Sequence, residues 1–299
     1  MTEGAVRIAA PAALPASSPH RTAAQIVAGQ FARNRGGVVG LSLVVLCLAA
    51  AVVGPALTPH DPIEMSLSDA FRSPSLTYPL GTDELGRDTL TRLLYGARIT
   101  LLITLGAVAI SLAIGGGLGL VGGFYGGWVD NLIMRLLDVL MAMPGFLLAI
   151  AVIAALGPGT VNLIIAVAAV SIPPFARIAR ASVLIAKNQD YILAARASGA
   201  RNARLMLVHL LPNIAAPLVV QTSLRMATAI LTASGLSFLG LGPAPPTPEW
   251  GAMLSTGRKF ITSHAELATY PGLAIMLVTL GFNLLGDGLR DALDPRLRS

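Results

Sequence analysis

Residues 191–213, YILAARASGARNARLMLVHLLPN, form a short basic segment in a chain that otherwise contains little charge. Arg196, Arg201 and Arg204 lie within nine residues of one another, among alanines. Residues 188–197 predict one short helix and residues 200–211 a second, because both stretches are rich in good helix formers. Two helix-prone pieces placed between apolar runs are unusual in a connector, so the segment needs an explanation from the rest of the chain.

The turn between these two helices is predicted at Gly199, which can adopt a positive φ at little cost. Pro212 is expected to end the second helix, and Asn213 to open the next apolar run. Ala194, Ala195 and Ser198 make a small-residue surface that another backbone can approach closely. The paired start and stop signals favour a docking surface over a passive loop that only sets topology.

The composition indicates a membrane protein. The chain has 299 residues, of which 54% are hydrophobic and 12% charged, with a mean hydropathy of +0.72. Soluble domains carry about twice this fraction of charge, roughly 25%. The net charge of +6 is therefore interpreted as loop orientation in a lipid bilayer, and no nucleic-acid partner is expected. The single cysteine, Cys47, lies in an apolar run and excludes an internal disulfide.

Six apolar runs are each close to the length that crosses a bilayer, about 20 residues. The chain is therefore predicted to be an all-α integral membrane protein with six transmembrane helices. Pro173 and Pro174 set the expected end of the fourth run. The runs cover residues 38–57, 99–122, 132–156, 160–175, 214–235 and 270–285.

The basic residues orient these spans, because Lys and Arg accumulate in cytoplasmic loops. They precede the first run and are dense in the loop of residues 177–212 and in the C-terminal tail. Both termini are therefore predicted to be cytoplasmic, and residues 58–98 and 237–269 external. We expect residues 1–30 to be a flexible leader, residues 31–98 an N-terminal segment with the first transmembrane helix and an external stretch, and residues 99–299 the core transmembrane domain.

Catalytic and cofactor motifs are absent from the sequence. It has no G-x-x-x-x-G-K-[ST] loop and no H-E-x-x-H, C-x-x-C or G-x-S-x-G motif, so neither an ATP site nor a metal or other cofactor is expected in this chain. Gly117, Gly119 and Gly122 match G-x-G-x-x-G inside an apolar helix, where helix packing is the favoured interpretation. The packing pairs predicted from spacing are Gly115/Gly119, Gly119/Gly123, Gly122/Gly126 and Gly123/Gly127.

Two external motifs are candidate contact sites. Asp83 and Arg87 are spaced i, i+4 and predict an exposed salt bridge. With Glu84 and Asp88 they lie in GTDELGRD, for which a structured cap facing a binding protein is favoured over direct substrate contact. The proline-rich residues 243–250 predict a stiff external loop that carries Glu249 and Trp250. Trp250 is interpreted as a membrane-interface anchor, with contact to a binding protein as the alternative.

Charged residues inside the apolar runs are candidates for a translocation pathway, because ionised groups are costly there. Arg225 lies mid-way in the fifth run. It either lines the cavity or has a structural role between helices, as a member of a pair or bonded to carbonyl groups. Asp138 in the third run is a weaker candidate, with Arg135 three residues earlier as its expected partner.

The basic loop resembles the "EAA" loop of ABC-importer permeases, whose pattern is E-A-A, three residues, G, nine residues, I-x-L-P. The spacing is kept throughout. Leu193 replaces the Glu of the pattern, and His209 replaces its Ile. The resemblance implies that this coupling loop (residues 177–212) docks on an ATPase subunit. The residues carried over are Leu193, Ala194, Ala195, Ser198, Gly199, His209, Leu211 and Pro212.

Three further stretches extend the resemblance: PLGTDELGRDTLTRLLYGARITL (79–101), SFLGLGPAPPTPEWGAML (237–254) and NLLGDGLRDALDPRLR (283–298). They are similar to the "C" permease subunits of dipeptide, oligopeptide and glutathione importers. This implies a type I ABC importer permease fold in the cytoplasmic (inner or plasma) membrane. It also implies import of di- or oligopeptides, or of glutathione-like peptides, with nickel complexes or haem as alternative cargo.

The partners implied by the resemblance are a homologous "B" permease, two cytoplasmic ATPase subunits that bind ATP and Mg, and an extracytoplasmic peptide-binding protein. The chain itself is then a transport subunit and not an enzyme. A secondary transporter acting alone is disfavoured because no internal repeat is visible and ionisable residues are few in the spans. An intramembrane enzyme is disfavoured because no nucleophile–base or metal constellation is present.

Overall fold

The computed structural model describes residues 23–293, and within that range it contains helices and no β-strand. Two single-turn 3-10 helices, Leu67–Asp69 and Arg258–Phe260, interrupt the loops. A π-helical stretch, Leu205–Leu210, joins α8 to α9. The helices are α1 (Ala23–Arg33), α2 (Arg35–Leu57), α3 (Thr89–Tyr125), α4 (Gly127–Met141), α5 (Gly145–Leu156), α6 (Thr160–Ala186), α7 (Asp190–Ala197), α8 (Asn202–Arg204), α9 (Leu211–Phe238), α10 (Trp250–Gly257) and α11 (Glu266–Leu293).

Five of the helical segments are long and apolar enough to cross a membrane: α2, α3, α6, the continuous helix Asn202–Phe238, and α11. The sixth is α4 with α5, which are bent by 89° at the break between them. The prediction of an all-α membrane protein with six spans is confirmed in this sense, but the third span is not one straight helix. Pro144, the residue before α5, restricts the backbone ahead of it and lacks an N–H.

Proline does not end two helices where the sequence analysis expected it to. α6 continues through Pro173 and Pro174 to Ala186, so the predicted end of the fourth span at residue 175 is wrong. Helices inside a protein-lined membrane environment tolerate proline because neighbouring groups compensate the lost hydrogen bonds. Pro212 likewise does not separate two helices, since the wider π-helical turns before it lead directly into α9.

The backbones of α3 and α6 approach each other closely along a stripe of glycines. A Cβ on Gly115 would lie 2.5 Å from the carbonyl oxygen of Ile172, and one on Gly119 would overlap the carbonyl oxygen of Ala176. Gly123 faces Val183 in the same way. The predicted packing role of Gly115, Gly119 and Gly123 is confirmed.

The glycine stripe ends with α3, so the predicted pairs Gly122/Gly126 and Gly123/Gly127 are wrong. Gly126 has φ +68° and Gly127 has φ +56°, and between them the chain leaves α3 and begins α4. Glycine suits this turn because both positions have a positive φ, which glycine adopts at little cost.

α2 packs against α11 through a second set of small residues. The Cβ that Gly288 lacks would meet the Cα of Gly37, and Gly40 faces the backbone of Gly281. Asn34 strengthens this contact at the start of α2. Its side chain accepts a hydrogen bond from Gly37 N and donates one to Asp291 Oδ2, at 2.9 Å and 2.8 Å.

The two ends of the bundle are separated by the length of α3, whose 37 residues span about 55 Å. The cap (residues 58–88) lies at the start of α3. The helical part of the coupling loop lies at its other end, and the same end holds the start of α2 and the end of α11. Residues 23–30 of the predicted leader lie in α1. Residues 1–22 and 294–299 lie outside the described residues, so of the basic tail residues only Arg290, in α11, is described, and Arg296 and Arg298 are not.

We predict that Gly119→Ala destabilises the bundle by about 1–3 kcal/mol, the usual cost of an extra methyl group in a packed core. Gly117→Ala is the matched control, because Gly117 lies two residues away on α3 and a Cβ there meets nothing within 4 Å. The measurement is the monodisperse yield and thermal stability of each variant in detergent. Equal stability of the two variants would contradict close packing at Gly119.

Candidate functional site

α7 is a short helix that the bundle holds by one face only. Ile192 is fully buried, and Ala195 packs partly against the core. The opposite face leaves Leu193, at 51% exposure, and Ala194 free of the rest of the chain. The predicted bare surface is therefore present at Ala194 and Ser198, while Ala195 belongs partly to the core.

The C-terminus of α7 is closed by a Schellman motif, the hydrogen-bond pattern that a left-handed residue makes possible. Ala200 N donates to Ala195 O at 3.1 Å, and Gly199 N donates to Arg196 O at 3.0 Å. Gly199 has φ +82°, which confirms the predicted positive φ. A Cβ at Gly199 would meet no atom within 4 Å, so the requirement for glycine is one of backbone conformation and not of space.

Three polar contacts connect the coupling loop to the neighbouring spans, and sequence reasoning missed all of them. Lys187 Nζ donates to the carbonyl oxygen of Gly123 at 2.8 Å, at the end of α3. The Arg196 guanidinium lies 6.0 Å from the centre of the Phe124 ring. Each of the three contacts joins residues at least 50 positions apart, so no local spacing in the sequence signals it.

The third contact is a bidentate ion pair between α4 and α6. Arg180 Nε and Nη2 donate to the two carboxylate oxygens of Asp130 at 2.5 Å and 2.6 Å. Asp130 is 7% exposed, so the pair is shielded on the carboxylate side. Two parallel N–H···O bonds from one guanidinium to one carboxylate are the strongest geometry available to arginine. This pair therefore fixes the first turns of α4 against α6.

Asp138, a candidate pathway residue, is paired with Arg177 at 2.6 Å and not with Arg135. The predicted partner is wrong because the bundle brings α6 beside α4, and the spacing along one helix did not show this. Both members of the pair are about half exposed, so its contribution to stability is small.

The remaining residues of the coupling motif lie away from α7. Leu211 and Pro212 line an apolar groove of about 520 Å³ between α3 and the π–α9 helix, and His209 is half-buried nearby. A second groove of about 580 Å³ lies between α6, α9 and α11, and it contains Gln221 and Arg290. The coupling motif is continuous in sequence, but the structure divides it between α7 and this apolar groove.

Arg225 is half-buried in α9 and borders neither groove. In the part of the chain that the structure describes, no carboxylate forms an ion pair with it. Among the alternatives for Arg225, an ion pair between helices is therefore not found within residues 23–293.

The cap is organised around the carboxylate of Asp83. Its Oδ1 accepts hydrogen bonds from the backbone N–H groups of Leu85 and Arg87, both at 3.0 Å, and its Oδ2 accepts from Arg87 Nε at 2.7 Å. Arg87 also contacts Glu84 at 3.1 Å. The prediction that the Asp83–Arg87 pair is exposed is wrong, since both side chains are less than 10% exposed.

Asp88 ends the cap and starts α3. Its carboxylate accepts a hydrogen bond from Thr91 N at 3.0 Å and so caps the helix N-terminus. The structure thus brings together four of the predicted contact residues. Their side chains stabilise the cap through internal contacts: Asp83, Glu84, Arg87 and Asp88.

Glu249 and Trp250, predicted at an external contact or a membrane interface, are buried. Glu249 is 0% exposed and caps α10 by accepting from Gly251 N and Ala252 N at 3.0 Å and 2.9 Å. Trp250 is 3% exposed, and its indole Nε1 donates to Leu93 O at 2.9 Å. Both predictions are wrong because α10 folds back onto the first turns of α3. Burial raises the pKa of the Glu249 carboxyl.

We predict that Glu249→Ala destabilises the chain by about 1–2 kcal/mol, because two N–H groups of α10 and the Thr100 hydroxyl lose their acceptor. Glu249→Gln keeps one acceptor oxygen and should lie between the alanine variant and wild type. Thermal unfolding in detergent measures both variants. An alanine variant as stable as wild type would contradict the capping role.

We also predict that Asp130→Asn lowers the apparent melting temperature in detergent more than Asp138→Asn does. The first substitution disrupts a bidentate, shielded pair, whereas the second weakens an exposed pair worth about 0.5 kcal/mol or less. The two variants make the same chemical change on the same helix and so control for each other. Equal shifts would show that the Asp130–Arg180 pair contributes no more than a surface contact.

The described residues contain no cluster of His, Cys, Asp or Glu that could hold a metal ion. What they offer is a surface: an exposed helix end with small side chains, held rigidly to three spans at one end of the bundle. Such an arrangement suits contact with another protein.

Comparison with known proteins gives the family. The model described as "Binding-protein-dependent transport system inner membrane component" matches residues 115–299. A second, "N-terminal TM domain of oligopeptide transport permease C", matches residues 22–74. In the solved methionine ABC transporter MetNI in an inward-facing conformation, one chain aligns with a TM-score of 0.52 at 20% identity, over 68% of this chain and 96% of that chain. This similarity shows the fold alone.

Curated relatives are similar over most of their length. The di/tripeptide transport system permease DppC of Pseudomonas aeruginosa is 48% identical over 90% of this chain and 91% of its own. The dipeptide permease DppC of Alkalihalophilus pseudofirmus is 46% identical over 90% and 89%. The glutathione transport permease GsiD of Pectobacterium atrosepticum is 46% identical over 90% of each chain. The chain therefore belongs to the inner-membrane permease family of binding-protein-dependent ABC transport systems, and it is a multi-pass protein of the cytoplasmic membrane.

Proposed function

We propose that this chain is one transmembrane half of an ATP-driven importer of short peptides. The observation that carries the proposal is the similarity, over 90% of the chain, to permeases named for dipeptides, di/tripeptides and glutathione. These cargoes share a peptide backbone and a terminal carboxylate. Nickel complexes and haem remain alternative cargoes, and a direct uptake assay distinguishes them.

In the proposed assembly the chain pairs with a homologous "B" permease and sits on two cytoplasmic ATPase subunits, which bind ATP and Mg. An extracytoplasmic binding protein delivers the peptide. The coupling end of the bundle faces the cytoplasm, so the cap faces outward. The basic loop supports this orientation, since Arg177, Arg180, Lys187, Arg196, Arg201 and Arg204 all lie in residues 177–212.

The coupling step would begin at α7. Closure of the ATPase subunits on ATP would move the exposed face at Leu193 and Ala194. The movement would pass to α3 through the Lys187–Gly123 hydrogen bond and the Arg196–Phe124 contact. Because α3 packs along α6, both spans would move together and open the pathway outward. Hydrolysis would reset the assembly.

Arg225 is the residue proposed to face the pathway formed with the partner permease. A half-buried arginine in a membrane helix needs a wet or protein-lined surrounding, and it has no ionic partner within residues 23–293. An arginine at this depth would attract the carboxylate of a peptide.

We predict that Ala194→Trp abolishes association with the ATPase subunits. A tryptophan on the exposed face of α7 would block close approach of another backbone and leave the buried face, with Ile192, unchanged. Ala49→Trp is the matched control, because Ala49 is exposed on α2, far from the loop in sequence. The assay co-expresses the partner subunits, purifies each variant and measures ATPase activity and peptide uptake in proteoliposomes.

The proposal is supported if wild type and Ala49→Trp co-purify an active ATPase and Ala194→Trp, still monodisperse, does not. Uptake of dialanine that requires ATP, with glutathione, a nickel complex and haem as competitors, then defines the cargo. Uptake by the chain alone, driven by an ion gradient and independent of ATP, would contradict the proposal and indicate a secondary transporter.

A further inference from the structure

Arg92 lies in the first turns of α3, is 7% exposed, and contacts three segments that are far apart in the sequence. Its Nη1 donates to the carbonyl oxygen of Pro62 at 2.8 Å and to that of Pro246 at 3.4 Å. Its Nε lies 3.3 Å from Asp83 Oδ2. One side chain thus joins both ends of the cap and the loop of residues 243–250 to α3.

Charge balance does not account for the position of Arg92, because the Asp83 carboxylate is already satisfied. Asp83 accepts two backbone N–H groups and the Arg87 Nε without it. What Arg92 adds is a link to two proline carbonyls in otherwise separate loops. A guanidinium carries its donors on three nitrogens in a fixed plane, so it reaches a carboxylate and two carbonyls that lie apart. The three donors of a lysine ammonium share one nitrogen.

Independent contacts fix the cap and the start of α3 to neighbouring segments. The ring of Phe71, in the cap, stacks on His264 at 4.4 Å and meets Phe260 edge-on at 5.0 Å. Phe71 has φ +56°, a conformation that is unfavourable for a bulky residue and persists only where its surroundings hold it. Trp250 binds the carbonyl of Leu93, the neighbour of Arg92, so the loop after α9 is also fixed to the start of α3.

We propose that Arg92 is a positioning residue: it holds the cap, the 243–250 loop and the start of α3 together as one rigid platform on which the extracytoplasmic binding protein docks. The inference rests on the proposed function for the identity of that partner. Next to the Pro62 carbonyl that Arg92 holds, the cap exposes Ile63 and Met65 at 46% and 55%, and Leu67 at 74%. The arrangement of these apolar side chains depends on the loops that Arg92 joins.

The consequence is specific to docking. Without Arg92 the loops would still be attached to the bundle, but their relative position would fluctuate, and a partner that needs both would bind less tightly. The coupling end lies about 55 Å away along α3, so ATP hydrolysis by the assembled complex would be unaffected. Arg92 therefore governs the binding-protein concentration that the transporter needs and leaves its maximal rate unchanged.

The test uses the complete complex in proteoliposomes and the purified binding protein of the same transporter. The variants are Arg92→Met, Arg92→Lys, which keeps the charge, and Arg98→Met as the matched control. Arg98 is an exposed arginine of the same helix, outside the cap and the 243–250 loop. Arg72→Met serves only to identify the cleavage fragment, since the Arg72 side chain is 57% exposed in the cap. The readouts are the binding-protein concentration for half-maximal ATPase stimulation, the maximal and basal ATPase rates, and the rate of trypsin cleavage after Arg72.

We expect both Arg92 variants to raise the half-maximal concentration by about tenfold, the effect of losing one hydrogen bond from a charged donor, with unchanged maximal and basal rates. Arg98→Met should match wild type. Trypsin should cleave after Arg72 about tenfold faster in both Arg92 variants, because the cap opens more often. Arg72→Met removes that cleavage site and so identifies the fragment. If Arg92→Met does not assemble, Arg92→Lys alone decides the outcome.

Wild-type affinity and wild-type cleavage in Arg92→Lys would overturn the inference, since the charge alone would then suffice. A fall in maximal rate without a change in half-maximal concentration would also overturn it. If the wild-type complex is not stimulated by its binding protein, the proposed function fails, and faster cleavage in the Arg92 variants still supports the rigid platform. The two failures are therefore distinguishable.

Discussion

Close contact between the backbones of α3 and α6 is the constraint on which the rest of the structure depends. Gly115, Gly119 and Gly123 leave the α3 side of this line of contact without side chains, and Ser111 Oγ reinforces it by donating to Ala168 O at 3.0 Å. In a bilayer, apolar burial alone does not drive helices together, so van der Waals packing and interhelical hydrogen bonds have to do so. The two helices consequently behave as one unit.

Because α3 runs the full length of the bundle, this unit connects the two end surfaces. At one end, Asp88 starts α3, and Arg92 binds the cap and the 243–250 loop to it. At the other end, the Gly123 carbonyl and the Phe124 ring contact Lys187 and Arg196 of the coupling loop. In the proposed mechanism, movement at one end would reach the other through this unit.

Two groups of buried charged residues lie where the helices end. The Asp83–Arg87–Arg92 cluster and the buried Glu249 lie at the cap end, and Asp130–Arg180 lies at the coupling end. Burying a charge is costly without compensating partners: Asp83 and Asp130 are paired with arginines, and Glu249 accepts hydrogen bonds from two backbone N–H groups. Buried polar residues within the spans, such as Ser111, are uncharged, whereas Arg225 is a charged residue in the middle of α9 that the proposed pathway would explain.

The sequence by itself determined the fold class, the number of spans, the family resemblance and the glycine turn at residue 199. These depend on composition, run length and local backbone preference, which are properties of neighbouring residues. It was wrong about where α6 ends, about the straightness of the third span, and about the exposure of Asp83, Glu249 and Trp250. The errors at Glu249, Trp250 and Asp138 arose because a distant segment supplies a partner: α10 folds onto α3 and buries Glu249 and Trp250, and Asp138 pairs with Arg177 of α6 and not with Arg135. Only the tertiary structure decided these pairings, because no local pattern encodes a contact between distant residues. The contacts of Arg92 are a further example, since they join residues 30 and 154 positions apart.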